Sequence, residues 1–294
     1  MKNAKGNSPI PVFRSPVEMQ NWARERRAEG KSIGCVPTLG ALHEGHLGLI
    51  RASAKECDET IVTIFVNPLQ FGPDEDLNGY PRNEDRDLSL SRDAGATAAY
   101  CPTVEGMYRD DQSTYVIEET ISKVLCGRSR PSHFRGVATV VAKLLNACLP
   151  DKAYFGWKDF QQMLVIKRMV RDLDFPVEIV GCPIVREPSG LAMSSRNAYL
   201  STEEHSSAGC LRKALDAAEK AFKAQERDPR EMERVAREVI EPVKSARIDY
   251  VECRDAENLA EIDAIEKPAV LALAVFIGNT RLIDNTVMTP DKEG

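Results

Sequence analysis

The sequence predicts an α/β protein, with a parallel sheet covered by helices in its first two thirds and a smaller α+β domain behind it. Short apolar runs rich in β-branched residues alternate with amphipathic helical patterns up to about residue 197, and such alternation is typical of a parallel sheet. Two charged, alanine-containing helical segments then precede three segments with the pattern of strands. At 294 residues the chain can form two hydrophobic cores, because a single core stops growing at roughly 250–300 residues.

The elements of the first domain follow from these patterns. Its predicted strands lie at residues 32–37, 60–66, 96–101, 152–155 and 177–185, and its predicted helices at residues 47–55, 83–94, 137–148 and 160–173. The third helix is the clearest, since its apolar side chains recur at the three- and four-residue spacing of one helix face. It is predicted to end before Pro150, because proline cannot continue a helix.

The second domain is predicted to begin where a strand gives way to the polar turn at residues 187–190. We therefore expect a first domain of residues 1–185 and a second domain of residues 186–294. The helices of the second domain are predicted at residues 202–222 and 229–243, and its strands at residues 248–253, 269–277 and 281–284. We expect residues 288–294 to be disordered, as chain ends often are.

The charge and hydropathy of the chain exclude some functional classes. Lys and Arg total 39 against 45 for Asp and Glu, so the overall charge attracts neither nucleic acid nor an anionic membrane. The longest apolar stretch, residues 269–277, is far shorter than the ~20 residues that cross a bilayer. Residues 1–13 lack the apolar region of a secretory signal. We therefore expect a cytoplasmic protein that binds neither nucleic acid nor membrane.

The eight cysteines are scattered along the chain, and no two of them are separated by two residues. That distribution indicates neither a zinc site nor a disulfide framework. We expect buried, reduced thiols, as in cytosolic proteins.

Residues 36–46 place two histidines and two glycines where a predicted strand ends and a predicted helix begins. The N–H groups and the positive dipole of a helix N-terminus favour phosphate at such a junction. His43 and His46 are three residues apart and can face one ligand, while Gly40 and Gly45 let a nucleotide approach the backbone. The spacing is one residue short of the zinc-protease pattern HExxH. Two histidines with purely structural hydrogen bonds remain the alternative.

Polar side chains also follow other predicted strands. Asn67 and Gln70 come after the strand at residues 60–66, at the edge where open parallel sheets bind ligands. Lys158 stands before the helix at residues 160–173, where it could neutralise phosphate, and Gln162 shares its helix face. The alternatives are turn residues for the first pair and, for the second, a solvated lysine beside a capped helix.

A third polar segment lies beside the predicted domain junction. Ser194, Ser195 and Arg196 combine small hydroxyl donors with a guanidinium, a set that suits phosphate oxygens. An ordinary loop is the alternative, but clefts between domains are common active sites. We therefore predict a phosphate-binding role for this segment.

Together these segments resemble the pantothenate synthetase family, the pantoate–β-alanine ligases. The segments that carry the resemblance occur in the same order as in the family. They are residues 37–46, 67–73, 80–82, 131–137, 155–162, 186–197, 250–252 and 281–285. It therefore spans nearly the whole chain. The first of these segments is similar to the HIGH signature of the nucleotidyltransferase superfamily. Leu39, Leu69 and Ser189 depart from the residues usual in the family, and none of them is a charged catalytic position.

The resemblance implies a Rossmann-like first domain, a smaller C-terminal lid domain and a homodimer. It implies an ATP-dependent ligase that forms pantothenate from pantoate and β-alanine through pantoyl adenylate, releasing AMP and pyrophosphate. Mg²⁺ would accompany ATP. The residues that bind the metal stay undefined at this stage, with Asp87 as a candidate.

The resemblance also implies roles for individual residues. His46 would be the catalytic histidine, and His43, Lys158 and Arg196 would share in catalysis. The ATP site would comprise Leu39, Gly40, Ala41, Leu42, His43, Glu44, Gly45, His46, Gly156, Trp157, Lys158, Asp159, Val185, Met193, Ser194, Ser195 and Arg196. The residues that hold pantoate, and β-alanine near Gln70, would be Gln70 and Gln162, with Asn67 beside them.

Three other functions compete with this one. A different nucleotidyltransferase of the same superfamily would form no amide. An RNA binder similar to a tRNA synthetase is disfavoured by the acidic balance and by the lack of a basic stripe. An ATP sensor without enzymatic activity would not need both histidines together with Lys158 and Arg196.

Overall fold

The computed structural model describes residues 9–73 and 75–290. Within these residues the chain divides into two compact units. The N-terminal unit comprises residues 9–117, Ser132–Gly156 and Ile166–Cys182, and the C-terminal unit comprises Glu118–Pro131, Trp157–Val165 and residues 183–290. Two short segments that precede residue 166 therefore group with the C-terminal part, which no local pattern in the sequence indicates.

The secondary structure begins with a short strand and alternates between strands and helices as far as residue 182. The helices are α1 (Pro16–Ala28), α2 (Glu44–Glu56), α3 (Glu84–Ala94), α4 (Val104–Met107), α5 (Cys126–Ser129), α6 (His133–Cys148), α7 (Phe160–Asp172), α8 (Thr202–Ala208), α9 (Cys210–Lys223) and α10 (Pro229–Ile240). The strands are β1 (Val12–Phe13), β2 (Ile33–Thr38), β3 (Glu59–Ile64), β4 (Ala98–Tyr100), β5 (Lys152–Gly156), β6 (Glu178–Cys182), β7 (Ala246–Asp255), β8 (Ala269–Ile277) and β9 (Thr280–Met288). Across the described ranges, no helix is both long and apolar enough to cross a membrane.

A six-stranded parallel sheet forms the N-terminal unit, in the order β1-β4-β3-β2-β5-β6. The chain runs outward from β2 in both directions, because β3 pairs with one side of β2 and β5 with the other. In open parallel sheets, ligands bind beyond the carboxyl ends of the strands at such a switch point. The loop that follows β2, which carries both histidines, is therefore where the topology places a ligand.

The sheet is buried because helices cover it. Val36, Val62 and Ala99 of three neighbouring strands pack with Leu47 and Ile50 of α2 in one apolar cluster. Strands buried on both faces have near-continuous apolar sequences, which is why the β-branched runs predicted them well.

No bounds were predicted for helix α1, although its signals are present in the sequence. Ser15 is the N-cap, Pro16 is the first helical residue, and Glu18 completes a capping box with Ser15. Each of these is a recognised helix-start signal. Only Met19 and Ala23 of α1 are buried, so the apolar periodicity that identified the other helices is weak here.

The C-terminal unit contains a three-stranded antiparallel sheet in the order β7-β8-β9. Leu211 and Leu215 of α9 and Met232 of α10 form one core with Leu271 and Val275 of β8. An antiparallel sheet covered by helices is the predicted α+β domain. The fold class predicted from the sequence is confirmed for both parts of the chain.

Three of the predicted segments are corrected by the structure. The predicted helix at residues 202–222 is two helices that meet at Gly209, since glycine is about 1 kcal/mol less favourable than alanine inside a helix. The predicted strand at residues 177–185 ends at Cys182, because Pro183 has no N–H to donate to a ladder. The predicted disorder is wrong at Met288, the last residue of β9, and residues 291–294 lie outside the described part.

All eight cysteines are free thiols. Seven of them are buried, and Cys182 is half-buried. Burial raises the pKa of Cys101 and Cys253 to about 12 and that of Cys210 to about 11. At pH 8 these three thiols therefore stay protonated, and the thiolate is the reactive form. We expect a thiol-specific dye to label eight cysteines in denaturant and at most one quickly in the native protein. Rapid native labelling of several cysteines would contradict this packing.

Candidate active site

The loop between β2 and α2 is bent by two residues with left-handed backbone conformation. Gly40 has φ 83° and Ala41 has φ 49°. The loop is attached to the sheet through Thr38, whose hydroxyl donates to the Thr63 carbonyl oxygen (2.7 Å) and accepts from the Gly40 N–H (3.2 Å). The bend turns the chain from the end of β2 directly into the first turn of α2.

A buried carboxylate holds this loop from behind. The Oδ2 of Asp87 accepts from the N–H of Ala41 (2.8 Å), and its Oδ1 accepts from the N–H of Leu42 (2.9 Å). The Asp87 side chain is only 1% exposed, and Arg86 Nη1 lies 3.5 Å from its Oδ1. Both carboxylate oxygens are therefore used by the backbone of the loop. This geometry gives Asp87 a positioning role and does not favour its use as a metal ligand.

Replacing Asp87 by Asn tests the positioning role. An amide has one acceptor oxygen and an NH₂ donor, so one of the two loop N–H groups loses its acceptor, at a cost of about 1–3 kcal/mol. We expect kcat/KM for ATP to fall roughly 10–100-fold, as small displacements of binding groups do, with the KM for β-alanine unchanged. Asp93→Asn on the exposed face of α3 is the matched control. Equal kinetics for the two variants would contradict the role of Asp87.

The two predicted histidines stack at the N-terminus of α2. His43 is the N-cap residue, and its Nδ1 accepts from the Gly45 N–H (3.1 Å). In a neutral imidazole this leaves the proton on Nε2, which makes Nε2 a hydrogen-bond donor. The His43 and His46 ring centroids are 4.1 Å apart with a 34° interplanar angle, and both rings are half-buried. Imidazole donors and a helix dipole thus favour an anion at the same place.

The turn after β3 is organised by the side chain of Asn67. Its Oδ1 accepts from the Leu69 N–H (3.2 Å) and from the Tyr108 hydroxyl (2.7 Å). Its Nδ2 donates to the Gly136 carbonyl oxygen (3.1 Å) and to Gln70 Oε1 (3.1 Å). All four hydrogen-bonding positions of the amide are used within the protein, and the residue is 0% exposed. These contacts hold the turn that carries Gln70, and the substrate-binding role of Asn67 stays a prediction.

Gln70 is held at its side chain and at its backbone. Because Gln70 Oε1 accepts from Asn67, its NH₂ group is directed away from that residue. His133 Nδ1 donates to the Gln70 carbonyl oxygen (2.8 Å), since a carbonyl can only accept. His133 is the first residue of α6 and is buried. The geometry therefore fixes which end of the Gln70 amide a substrate would meet.

The approach of α6 to this turn requires a glycine. A Cβ atom on Gly136 would lie 2.2 Å from the Leu69 carbonyl oxygen and 2.6 Å from the Gln70 backbone nitrogen. Real Cβ atoms do not approach backbone so closely, and the neighbouring atoms belong to the main chain, which cannot rotate away. Gly136 thus allows the helix to contact the turn that carries Gln70.

In the C-terminal unit, Lys158 lies in the 3₁₀ turn Trp157–Asp159 that leads into α7. Its side chain is 21% exposed, and its Nζ lies 4.0 Å from Asp159 Oδ2. The Trp157 ring packs against Phe160, with centroids 5.4 Å apart. Lys158 is therefore partly enclosed, and it is not the fully solvated lysine of the alternative interpretation.

The neighbouring glutamines of α7 have different surroundings. Gln161 is buried, and its Nε2 donates to the carbonyl oxygens of Ile121 (2.8 Å) and Val124 (2.7 Å). Its Oε1 accepts from the Cys126 N–H (3.0 Å). Gln161 thereby holds the segment that ends in α5, whereas Gln162 is half-buried. The structure leaves Gln162, the predicted substrate residue, as the one with an accessible side chain.

The segment after β6 folds back as a narrow hairpin. The Met193 N–H donates to the Val185 carbonyl oxygen (2.9 Å), and Arg186 bridges antiparallel to Ala192. Gly190, with φ 88°, closes the turn. The hairpin brings Val185 and Met193, both predicted ATP residues, next to each other.

The predicted phosphate-binding serines and arginine follow this hairpin. Ser194 caps a 3₁₀ turn by accepting from the Arg196 N–H (3.3 Å). Asn197 Nδ2 donates to Glu187 Oε1 (2.7 Å), and Glu187 Oε2 lies 2.8 Å from His205 Nε2. Ser194, Ser195 and Arg196 therefore stand on a turn that is tied to the hairpin.

The predicted site residues fall into two sets, one in each unit. The N-terminal set contains Leu39, Gly40, Ala41, Leu42, His43, Glu44, Gly45, His46, Asn67, Gln70 and, at the end of β5 beside β2, Gly156. The C-terminal set contains Trp157, Lys158, Asp159, Gln162, Val185, Met193, Ser194, Ser195 and Arg196. Sequence reasoning missed the supporting role of His133, for which only the resemblance of residues 131–137 gave a signal.

Metal-ligating side chains are not gathered in the described part of the chain. Residues 9–73 and 75–290 contain no cluster of three or more His, Cys, Asp or Glu side chains that could hold a metal ion. A protein cage for a divalent cation is therefore not part of the described site. Mg²⁺ ordinarily keeps several waters and binds through substrate phosphates, so this absence is compatible with a metal that arrives on a nucleotide.

Comparison with known proteins decides the family. The family model described as pantoate-beta-alanine ligase matches residues 11–287, nearly the whole chain. The chain belongs to the pantoate–β-alanine ligase family. The resemblance predicted from the motifs is thereby confirmed.

Relatives of this family match the chain over almost its full length. A pantothenate synthetase from Pseudothermotoga lettingae is 52% identical over 94% of this chain and 98% of the relative. One from Moorella thermoacetica is 52% identical over 95% and 99%.

Solved structures of pantoate–β-alanine ligases share the fold. The crystal structure of pantothenate synthetase from Thermus thermophilus has a TM-score of 0.90 and 40% identity, covering 96% of this chain and 100% of that one. The Francisella tularensis ligase, described as complexed with beta-gamma ATP and beta-alanine, has a TM-score of 0.77 and 30% identity, covering 95% of this chain and 97% of that one.

Proposed function

We propose that this chain is an ATP-dependent ligase that forms pantothenate from pantoate and β-alanine through pantoyl adenylate, releasing AMP and pyrophosphate. The predicted enzyme class is confirmed by membership of the pantoate–β-alanine ligase family. The structural observation that carries the mechanism is the stacked pair His43 and His46 at the N-terminus of α2, directly after the central strand. That arrangement gathers hydrogen-bond donors where a nucleotide's phosphates would meet the sheet edge.

In the first step, a carboxylate oxygen of pantoate attacks the α-phosphorus of ATP, and the bond to pyrophosphate breaks. The carboxylate is already ionised at neutral pH, so no general base is needed. The difficulty is the negative charge that develops at phosphorus and on the leaving group. Lys158, Arg196 and the donors around His46 would stabilise that charge. Gln70, whose NH₂ group is directed by Asn67, would donate to an oxygen of pantoate.

In the second step, the amine of β-alanine attacks the acyl carbon of pantoyl adenylate. The carbon–nitrogen bond forms, the bond to the AMP oxygen breaks, and the amine loses one proton. An acyl adenylate is readily hydrolysed, so the site must exclude water. We propose that residues 186–294 form the lid domain and residues 1–185 the domain that binds ATP and pantoate.

ATP is the co-substrate in this proposal, and Mg²⁺ enters as its counterion. Because the described residues offer no three-ligand metal cluster, the metal would be held chiefly by the phosphates and water. It would neutralise phosphate charge when bound. We further propose a cytoplasmic homodimer.

The products of the reaction test the proposed function. Purified protein is incubated with ATP, Mg²⁺ and D-pantoate, with and without β-alanine, and nucleotides and pantothenate are quantified. We expect AMP and pantothenate in equal amounts, and only when all substrates are present. Pyrophosphate release without any amide would indicate instead a nucleotidyltransferase of the same superfamily. ADP in place of AMP would exclude the adenylate intermediate.

A further inference from the structure

Two adjacent residues of β9, Asp284 and Asn285, belong to a segment that the family resemblance includes but to which no role was assigned. Both are buried, at 2% and 5% exposure. They lie in the middle of β9, opposite Leu273 and Ala272 of β8. Polar side chains in such a core position are retained where their hydrogen bonds are satisfied, so their partners indicate what they do.

Asn285 holds the segment that carries Lys158. Its Nδ2 donates to the carbonyl oxygen of Trp157 (3.0 Å) and to that of Lys158 (3.0 Å). The two carbonyls need a donor, which fixes the orientation of the amide. One side chain thus satisfies two consecutive backbone carbonyls of the turn before α7 and sets the direction in which Lys158 leaves the main chain.

Asp284 holds the hairpin that precedes Ser194 and Arg196. Its carboxylate accepts from both terminal nitrogens of Arg186, at 2.6 and 2.9 Å. Arg186 in turn donates to the Gly190 carbonyl oxygen (3.0 Å) across the hairpin. A bidentate arginine–carboxylate pair fixes geometry as well as charge. The Asn285 N–H donates to Asp284 Oδ1 (2.8 Å), so the two anchors are joined to each other.

We propose that Asp284 and Asn285 are positioning residues for ATP, with Asn285 acting through Lys158 and Asp284 acting through the turn that carries Ser194 and Arg196. This inference rests on the proposed function, in which those side chains bind the phosphates. Neighbouring residues of one strand cannot move apart, so β9 fixes the relative placement of two phosphate-binding segments that are far apart in sequence. The pair touches neither substrate nor the reacting atoms.

The test is a double-mutant cycle in the full-length protein. The affinity for a non-hydrolysable ATP analogue is measured by calorimetry for the wild type, Asn285→Ala, Lys158→Ala and the double variant. Asn285→Ala should weaken analogue binding and lower kcat/KM for ATP by roughly 10–100-fold, with KM for β-alanine unchanged. In the Lys158→Ala background the same change should cost no further affinity, because residues that act through one another are not additive.

A second cycle combines Asp284→Asn with Arg196→Ala. The losses of analogue affinity in these two variants should also be non-additive. Thr286→Ala is the matched control, since its hydroxyl on the same strand donates only to Glu219 in the described structure, and it should retain wild-type affinity. Thermal unfolding is recorded for every variant. A lower Tm with wild-type ATP affinity in the folded protein would mean that the pair is merely structural and would overturn the proposal.

The outcomes separate this inference from the function on which it rests. If Lys158→Ala itself leaves analogue binding and turnover unchanged, the assignment of Lys158 to ATP is wrong, and the inference is overturned with it. If Lys158→Ala weakens binding but Asn285→Ala has no effect, or has an effect fully additive with it, the inference alone is overturned. Should Asn285→Ala not fold, Asn285→Leu, which keeps the volume of the side chain but has no donor for the two carbonyl oxygens, supplies the cycle.

Discussion

His46→Ala should lower kcat by about 10²–10³, the cost of removing one donor to the charge that develops in a transition state. His46 lies in the first turn of α2, with its ring 4.1 Å from that of His43. Its loss removes a donor without moving the loop, which Asp87 holds through the backbone. We therefore expect KM for ATP to change much less than kcat. Steady-state kinetics and single-turnover formation of the adenylate measure the effect.

Lys55→Ala, at the exposed end of the same helix, is the control for His46→Ala and should turn over like the wild type. His43→Ala should also be impaired, and in addition it removes the N-cap hydrogen bond to Gly45. That loss costs helix stability of about 1 kcal/mol, so its Tm should fall further than that of His46→Ala. Wild-type turnover by His46→Ala would remove this histidine from the mechanism.

Gly136→Ala should lower kcat/KM for pantoate by roughly 10–100-fold while raising the helix propensity of α6. The added Cβ meets the Leu69 carbonyl oxygen at 2.2 Å, so either α6 or the turn that carries Gln70 must shift. Overpacking of this kind costs about 1–3 kcal/mol, more than the ~1 kcal/mol that alanine gains over glycine in a helix. A displaced turn also breaks the hydrogen bond from His133 to Gln70, and displacement near ~1 Å is enough for such a loss of activity.

The kinetic signature distinguishes this effect from general damage. Binding of the ATP analogue should stay near the wild-type value. The atoms that the added Cβ would meet belong to Leu69 and Gln70, and not to the loop after β2. Gly79→Ala is the control, since its Cβ would meet only the Asp76 carbonyl oxygen at 3.9 Å. If Gly136→Ala bound pantoate as tightly as the wild type, the turn would not be the pantoate site, or it would tolerate the shift.

The sequence predicted those elements whose burial produces a recognisable pattern of apolar residues along the chain. Strands covered on both faces are nearly continuous apolar runs, as in β3, and the large apolar side chains of α6 recur at helical spacing. The bounds of helix α1 were not predicted because its capping box of Ser15 and Glu18 was not joined to a strong apolar periodicity. The predicted helix at residues 202–222 was wrong at Gly209, where a single residue outweighs an otherwise helical pattern.

The sequence predicted the candidate site residues but not the residues that hold them in place. The histidine loop and Gln70 follow strands directly, so topology alone places them at the sheet edge. Their supports come from distant parts of the chain: Asp87 reaches back to Ala41 across 46 residues, and Asn285 reaches Trp157 across 128. Such pairings depend on how whole elements pack. A single sequence offers no local spacing from which to infer them.

The fate of the pantoate carboxylate oxygens tests the central claim most directly. Pantoate labelled with ¹⁸O in both carboxylate oxygens is converted with ATP and β-alanine, and the products are examined by mass spectrometry. Attack on the α-phosphorus followed by aminolysis transfers one labelled oxygen to AMP and leaves the other in the amide carbonyl of pantothenate. We predict AMP carrying one ¹⁸O atom in every turnover. Unlabelled AMP, or label in inorganic phosphate, would contradict the adenylate mechanism and the roles assigned to the residues around it.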